Sequence, residues 1–433
     1  MLSNIKNKLL RKYTSHPEAV VISCFFNPQN SLYRLKAFNT WYDSIKHLNH
    51  RIVECVIGDA KPQLPENANI RRVYTQNLLW HKEALLNGII SDLPSEFKYV
   101  FWVDADVMFT NKDWLTDGVK QLQDRNINII QPFEYCIHLE QDETKPSFDV
   151  ETAKARAYHE YKGRRLWRSF CANIVNAHLT KYESETYNIH GHVGFAWAAK
   201  RTVLQTCPLY EKALIGGADH IIAHAAAGQI PHVCITKSFT DNIDEVNEWS
   251  RQFFWACDGR VKNGKYPVAP KPKIGYVTGD LYHLWHGDIN KRQYLKRIQD
   301  FTPQTKNITQ KDPNGLYITH KNDDHYIKNY FREREVSSSG SDGFLESMAL
   351  GYMTDSTMAG GLLGGNFVGA ALGSMLHGDS GSQQQFSDGG GGDFSGGGAG
   401  GQWNESPPVA SQPSGDVQTA SVAVIDDTVN TFS

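Results

Sequence analysis

The chain has 433 residues, with 44 Lys and Arg against 47 Asp and Glu. This near balance hides a division, because residues 336–433 hold ten of the acidic residues, no Lys or Arg and 21 of the 36 glycines. Residues 1–335 therefore carry 44 basic and 37 acidic residues, a net charge of +7. That charge is lower than a dedicated nucleic-acid-binding protein carries, so the composition argues against that class.

The cysteines and the first residues predict the compartment. Seven cysteines are widely spaced and include no CxxC pair, a pattern typical of reduced thiols rather than of a disulfide framework or a zinc module. In residues 1–20, charges interrupt the few apolar side chains, and no apolar run precedes a cleavage site. We therefore expect no signal peptide and a cytoplasmic protein.

Apolar runs in the first hundred residues alternate with segments of helical periodicity. The runs 19–26, 51–58 and 98–103 predict strands, and residues 79–90 between two of them predict a helix. This alternation indicates an α/β fold with a mainly parallel sheet covered on both faces. Weaker patterns predict further strands at 127–133, 193–200 and 273–279, and charged helices at 151–164 and 322–335.

Ligands of such sheets bind at the carboxyl ends of the strands. The residues that follow the first three apolar runs are therefore the candidates for a binding site. They are Asn27, Asp59 and the segment from Asp104 to Asp106.

The glycine-rich composition of residues 336–433 predicts a flexible, low-complexity tail, because it cannot bury enough apolar surface to offset the entropy of ordering. Within it, the apolar segment 357–376 carries glycine at every fourth position: Gly361, Gly365, Gly369 and Gly373. That spacing allows close helix pairing in lipid, although glycine disfavours helix formation. The tail is a candidate membrane contact, and a low-complexity linker is the favoured interpretation.

The sharpest local signal is YVFWVDADVMFTN at 99–111, in which a buried strand presents Asp104 and Asp106. If the backbone stays extended, both side chains face one site while Ala105 packs behind. Two adjacent carboxylates disfavour joint ionisation unless a cation lies between them. Mg²⁺ or Mn²⁺ is the natural cation, and it would also neutralise a diphosphate leaving group. A capped helix start is the alternative, but the apolar flank favours a functional pair.

The order of these segments resembles the nucleotide-sugar glycosyltransferases of the GT-A fold. The matching features are a strand before Asn27-Pro28, a strand before Gly58-Asp59, a helix with Trp80, Lys82 and Asn87, and the strand with the D-x-D pair. Downstream, GHVGFAWAAKR (191–201), GGADH (216–220) and YHLWHGDINKRQYLKR (282–297) stand where such enzymes carry sugar-binding, catalytic and metal-ligating segments. The HLWHG segment and the terminal YF-x-x-RE sequence are most similar to bacterial and phage-type members. The resemblance implies a mixed, mainly parallel sheet flanked by helices.

The resemblance also implies a division of the chain. Residues 1–17 form an N-terminal extension, and residues 18–335 form the transferase domain. Within that domain, 18–126 are the nucleotide-binding half and 127–335 the acceptor and catalytic half. The tail at 336–433 then lies outside the domain.

Site roles follow from the resemblance, residue by residue. Phe26, Asn27 and Asp59 would hold the nucleoside, with turn chemistry as the alternative for the last two. Lys82, at the start of its helix, suits a phosphate, and an exposed lysine without a role is the alternative. Asp104 and Gly194 complete the donor-binding set.

Catalysis is assigned to the second half, and metal binding to residues of both halves. Asp219 is the candidate base if the reaction inverts the anomeric centre, with a helix N-cap as the alternative. His286 would complete a metal shell with Asp104 and Asp106, and its imidazole suits Mn²⁺ better than Mg²⁺. His220 and His224 lie one helical turn apart but lack the Glu of an H-E-x-x-H zinc site, so a structural or acceptor-side role is favoured.

The sequence thus predicts a metal-dependent glycosyltransferase, with inversion and a UDP-sugar donor favoured. A polysaccharide, a protein or another hydroxyl compound would be the acceptor, and nucleic acid is less favoured. Two alternatives remain: a haloacid-dehalogenase-type phosphatase that uses the D-x-D pair, and a non-catalytic carbohydrate-binding protein. The D-x-D pair of such a phosphatase normally opens its domain, and carbohydrate-binding modules are usually all-β, so both fit this pattern less well.

Overall fold

The computed structural model describes residues 12–155, 165–177, 190–239, 242–258, 272–287, 308–319 and 324–335. The predicted tail, its glycine repeat and most of the N-terminal extension lie outside these residues. Among the described helices, none has both the length and the apolar character needed to cross a membrane.

Two sheets and a set of helices make up the described chain. The strands are β1 Ala19–Phe26, β2 His50–Ile57, β3 Ile70–Thr75, β4 Tyr99–Val103, β5 Val107–Phe109, β6 Ile129–Gln131, β7 Tyr135–His138, β8 Leu166–Arg168, β9 Ala196–Lys200, β10 Ile274–Tyr276 and β11 Asp280–His283. The helices are α1 Leu32–Ile45, α2 Lys82–Asp92, α3 Trp114–Gln123, α4 Val150–Ala155, α5 Phe170–Ala177, α6 Arg201–Thr206, α7 Ala218–Ala226, α8 Val233–Ser238, α9 Ile243–Asp258 and α10 Asp324–Glu335.

The large sheet has the strand order β10-β6-β9-β4-β1-β2-β3. All neighbouring pairs are parallel except those of β9, which runs antiparallel to both β4 and β6. The start of β9 therefore lies at the edge of the sheet where β1 and β4 end. The expected mixed, mainly parallel sheet flanked by helices is confirmed.

Both faces of this sheet are buried, as the continuous apolar runs predict. In β4, Val100 and Trp102 belong to one core, and Phe101 and Val103 belong to the other. The first core lies against α2, α6, α7 and α9, and the second lies against α1 and α3. This alternation follows from the two-residue period of a strand.

A smaller sheet, in the order β5-β11-β7-β8, adjoins the large one. Strand β5 begins four residues after β4 ends, so the chain passes from one sheet to the other through Asp104, Ala105 and Asp106. The sequence patterns did not predict the four strands of this sheet, because each has only three or four residues. Strand β3 was also missed, since its Arg71 and Arg72 interrupt the apolar pattern.

Two helical glycines give a matched test of how tightly the helices pack on the sheets. A Cβ at Gly118 of α3 would lie 2.7 Å from Phe101 Cε1, whereas one at Gly88 of α2 would meet only the terminal nitrogen of Arg71, at 2.9 Å. We expect Gly118→Ala to lower the free energy of unfolding by about 1–3 kcal/mol through overpacking. Gly88→Ala should be neutral or raise it by up to about 1 kcal/mol, because alanine favours helix and the arginine can move. Urea denaturation of both variants measures these effects, and equal losses would contradict the packing described.

Candidate active site

A cavity of about 210 Å³ opens where β1 and β4 end. The loop before β9, the first turn of α7 and the segment after β11 complete its wall. Its lining includes Phe26, Arg34, Trp80, Lys82, Glu83, Asp104, Asp106, His192, Gly194, Asp219, His283 and His286. The cavity thus lies at the carboxyl edge of the sheet, where ligands of such folds bind.

Asp106 forms a compact group with two histidines on one side of the cavity. Its Oδ2 lies 2.9 Å from His286 Nε2 and 3.7 Å from His283 Nε2. Its Oδ1 is buried and has no hydrogen-bond partner among the described residues. These three side chains place one carboxylate and two imidazoles within 4.8 Å of one another, which is a donor set for a divalent cation.

The small sheet brings these ligands together from distant parts of the sequence. In the antiparallel pair of β5 and β11, Val107 lies opposite His283. The Leu284 N–H then donates to the Asp106 carbonyl oxygen at 2.8 Å. His283 is therefore held beside Asp106 by backbone pairing, and the sequence analysis had favoured only His286.

The backbone between the two aspartates does not stay extended as the sequence argument supposed. It turns at Ala105 and Asp106, between the end of β4 and the start of β5. Both carboxylates line the cavity, as expected, but they have different partners. Ala105 also lines the cavity instead of packing only behind it.

Lys82 lies between two further carboxylates of the cavity, those of Asp104 and Asp219. Its Nζ is 2.7 Å from Asp104 Oδ1 and 3.1 Å from Asp219 Oδ2. The lysine side chain is 14% exposed, so it is enclosed and not the free surface lysine of the alternative interpretation. The structure thus joins three sequence-predicted residues in one ionic network, and it places Asp104 opposite Lys82 rather than within the histidine group. The role of Asp104 as a metal ligand stays a prediction.

Burial and neighbouring charges shift the pKa values of the acidic groups in the cavity to different degrees. Burial raises the pKa of Asp104 to about 7, even though Lys82 acts in the opposite direction. It raises the pKa of the neighbouring Glu83 to about 8. Burial would also raise the pKa of Asp106, but His283 and His286 outweigh it and hold that pKa well below its usual value. An acidic cavity whose carboxyl groups differ this much is typical of a functional site.

Asp219 lies in the first turn of α7, where two glycines precede it. Gly216 and Gly217 have φ angles of 88° and 97°, a conformation that favours glycine, so the chain turns tightly just before α7. The N-cap position belongs to Gly217, and the Asp219 side chain contacts Lys82 instead of capping the helix. The capping alternative for Asp219 is therefore wrong.

The segment before β9 forms the floor beside Asp219. A Cβ on Gly194 would lie 3.6 Å from Asp219 Oδ2, so the backbone here comes close to that carboxylate. Phe195 has a φ of 79°, which is strained for a residue other than glycine, and its carbonyl oxygen accepts from the Asp104 N–H at 2.7 Å. Its ring stacks on His192 and His283, with centroids 4.2 and 4.8 Å away.

Aromatic rings line another part of the cavity. Phe26, at the end of β1, lies 6.1 Å from Trp80 between ring centroids. Phe331 of α10 packs on both rings, at 5.4 and 6.2 Å. The last described helix therefore packs against the predicted nucleoside-binding end.

Two predicted nucleoside-binding residues lie outside the cavity lining. Asn27 is buried, and its amide bonds to Ser31 and Gln63, which shapes the loop after β1. Asp59 is exposed in the turn after β2. Their roles in donor binding stay predictions.

Several lining residues escaped the sequence analysis. Glu83 follows Lys82 and looks like an ordinary surface residue of a charged helix, yet it is 3% exposed. Arg34 and His192 carry no motif of their own. The one available signal for His192 was its place two residues before Gly194 in a segment already singled out.

Known proteins resemble this chain only in structure, since no family model and no curated protein matches it. Glucosyl-3-phosphoglycerate synthase from Mycobacterium tuberculosis has a TM-score of 0.29 and 10% identity, over 71% of this chain and 84% of that chain. The same enzyme with Mn²⁺, UDP-glucose and phosphoglyceric acid gives 0.30 and 10%, over 71% and 83%. A 4-diphosphocytidyl-2C-methyl-D-erythritol synthase from Anaerococcus prevotii gives 0.23 and 10%, over 75% and 99%. Likeness at this level carries no argument about function.

The ionic network around Lys82 predicts a specific loss of stability. Lys82→Met removes the cation between Asp104 and Asp219, which leaves two carboxylates without compensation. We expect the free energy of unfolding to fall by about 2 kcal/mol, less than the about 3–5 kcal/mol lost from a fully buried pair. Denaturant unfolding without added metal or nucleotide measures this loss.

The matched control is Lys120→Met, which removes an exposed ion pair with Asp117 at 2.9 Å. That change should lower the free energy of unfolding by no more than about 1 kcal/mol. If both variants were equally stable, Lys82 would not be the cation that balances the cavity.

Proposed function

We propose that this chain is a metal-dependent glycosyltransferase that transfers a sugar from a nucleotide-diphosphate sugar to a hydroxyl acceptor. One observation carries the proposal. A single cavity at the carboxyl edge of the sheet holds the group Asp106, His283 and His286 on one side and the Lys82–Asp219 pair on the other. Metal binding and acid–base chemistry thus share one cavity.

The donor set of Asp106, His283 and His286 fits a divalent cation. Among the described residues, Oδ1 of the carboxylate has no hydrogen-bond partner, and imidazole nitrogen favours Mn²⁺ over Mg²⁺. When bound, such a cation would neutralise the charge that develops on a diphosphate leaving group. Asp104 is a further candidate ligand, since its ionic partner is Lys82 and a lysine side chain can turn away.

Lys82 is placed to exchange one anion for another. In the structure, its ammonium group forms ion pairs with both Asp104 and Asp219. It also lies at the start of α2, where free backbone N–H groups favour a phosphate. On donor binding, its ammonium group would turn to a phosphate oxygen, which would free Asp219 to accept a proton.

Asp219 is the proposed general base of an inverting reaction. Its carboxylate lines the cavity beside the backbone of Gly194, where there is no side chain to obstruct a sugar ring. It would accept the proton of the acceptor hydroxyl as that oxygen attacks the anomeric carbon. The nucleotide is then the leaving group.

The aromatic end of the cavity fits the nucleoside. Phe26 and Trp80 line it, and Phe331 of α10 packs on both rings. Flat apolar rings suit a base, and a UDP-sugar is the favoured donor. Among acceptors, a polysaccharide, a protein or another hydroxyl compound is favoured over nucleic acid.

Removing the proposed metal ligand should abolish metal-dependent donor binding. We expect Asp106→Ala to lose the Mn²⁺-dependent part of UDP affinity, because the diphosphate charge is then left uncompensated. Titration calorimetry of UDP with and without Mn²⁺ measures it. Asp92→Ala, which removes an exposed aspartate paired with Arg71, is the control and should bind as the unmodified chain does.

The melting temperature of the unmodified chain with different ligands distinguishes the competing functions. UDP with Mn²⁺ at about 100 times its Kd should stabilise a transferase by about 2.7 kcal/mol. Stabilisation only by a phosphate analogue with Mg²⁺ would favour the phosphatase, and stabilisation by free sugar alone would favour a binding protein. Unchanged UDP affinity in Asp106→Ala would contradict the metal assignment.

Asp219→Asn should separate chemistry from binding. Asparagine keeps the shape and still accepts a hydrogen bond from Lys82, but it cannot take a proton. We expect kcat to fall by about 10²-fold or more while UDP affinity stays within a few-fold. His286→Ala should instead act mainly on Mn²⁺ affinity, which it should weaken. Retention of the anomeric configuration in the product, measured by NMR, would rule out this role for Asp219.

A further inference from the structure

A second cluster of possible metal ligands lies behind the wall of the cavity. His190, His220, His224 and Cys234 are all buried, and their ligand atoms lie within 4.8 Å of one another. None of them belongs to the group around Asp106. His220 alone also lines the cavity, and it follows Asp219 directly in the chain.

Three separate segments contribute to this cluster. His220 and His224 lie one turn apart on the same face of α7, as the sequence analysis expected. His190 lies in the segment before β9, four residues ahead of Gly194, and Cys234 is the second residue of α8. Because the four come from three segments, no spacing in the sequence reveals them as one site.

Hydrogen bonds orient two of these histidines as metal ligands are oriented. His224 Nδ1 lies 2.6 Å from Gln229 Oε1, and His190 Nδ1 lies 3.0 Å from the Gly191 carbonyl oxygen. Both partners are acceptors, so each Nδ1 carries the hydrogen and each Nε2 keeps its lone pair. An outer hydrogen bond of this kind is how proteins fix the tautomer of a ligating histidine.

The spacing between the sulfur and a ring nitrogen also suits zinc. His224 Nε2 lies 3.7 Å from Cys234 Sγ. In a tetrahedral site with zinc bonds of about 2.0 Å to nitrogen and 2.3 Å to sulfur, this edge is about 3.5 Å. This edge therefore needs only a small contraction, and the remaining ligand atoms, which lie within 4.8 Å of one another, would draw together around the ion.

We propose that His190, His220, His224 and Cys234 bind one zinc ion in a structural site. Three imidazoles and one thiolate make a four-ligand set of nitrogen and sulfur that leaves no open position, as the ligands of a structural zinc ion do. The ion would join α7, α8 and the segment before β9, and so would fix the turn that presents Asp219. This proposal does not depend on the proposed function.

Zinc binding to this cluster requires a thiolate. In the structure, Cys234 Sγ lies 3.0 Å from His232 Nδ1, and this nitrogen is placed to accept the thiol hydrogen. Binding of the ion therefore releases that thiol proton as the zinc–sulfur bond forms. No electron transfer is involved.

Cobalt substitution tests the site on the full chain. Purified protein should contain a zinc equivalent that is retained on dialysis, and Co²⁺ in its place should give a near-ultraviolet sulfur-to-cobalt charge-transfer band. Cys234→Ser should abolish that band and weaken zinc affinity by more than the about 10–100-fold that loss of an outer-shell partner costs. The group around Asp106 contains no sulfur, so it cannot produce this band.

Two matched variants complete the experiment. Cys55→Ser replaces another buried cysteine, on β2, and should keep both the band and the zinc. Asp106→Ala removes the ligand at the other site and should also keep them. If the unmodified chain gave no charge-transfer band with Co²⁺, or if the band survived in Cys234→Ser, the proposal would be overturned.

Discussion

The accumulation of negative charge in one enclosed cavity is the constraint on which the site depends. Asp104, Asp106, Asp219 and Glu83 converge there, and carboxylates this close cannot all ionise without compensating cations. The chain supplies Lys82 on one side and two histidines on the other. In the proposed function, a divalent cation and a phosphate would rearrange this balance.

The fold creates this convergence through strand direction. Parallel strands β1 and β4 end at one edge, and the antiparallel β9 begins there, so three loops meet. The small sheet then adds β11 beside β5 and places His283 next to Asp106. The strained backbone at Phe195 lies where these parts join, which is a place where folds commonly hold strain for function.

The sequence predicted the elements whose signals are local. The long apolar runs identified β1, β2 and β4, and the residues after β4 proved to line the cavity, whereas Asn27 after β1 and Asp59 after β2 do not. Asp219 was assigned from the resemblance of the GGADH segment, and its side chain lines the cavity. What the sequence could not supply was long-range pairing: Lys82 meets Asp219 across 137 positions, and His283 reaches Asp106 only through the pairing of short strands. The histidine and cysteine cluster behind the cavity was missed for the same reason.

Anomalous diffraction from crystals soaked with Mn²⁺ and UDP tests the central claim most directly. The account predicts one manganese peak bonded to Asp106 Oδ1 or Oδ2, to the Nε2 atoms of His283 and His286, and to the diphosphate of UDP. UDP bound in the cavity without a manganese peak at these three side chains would contradict it.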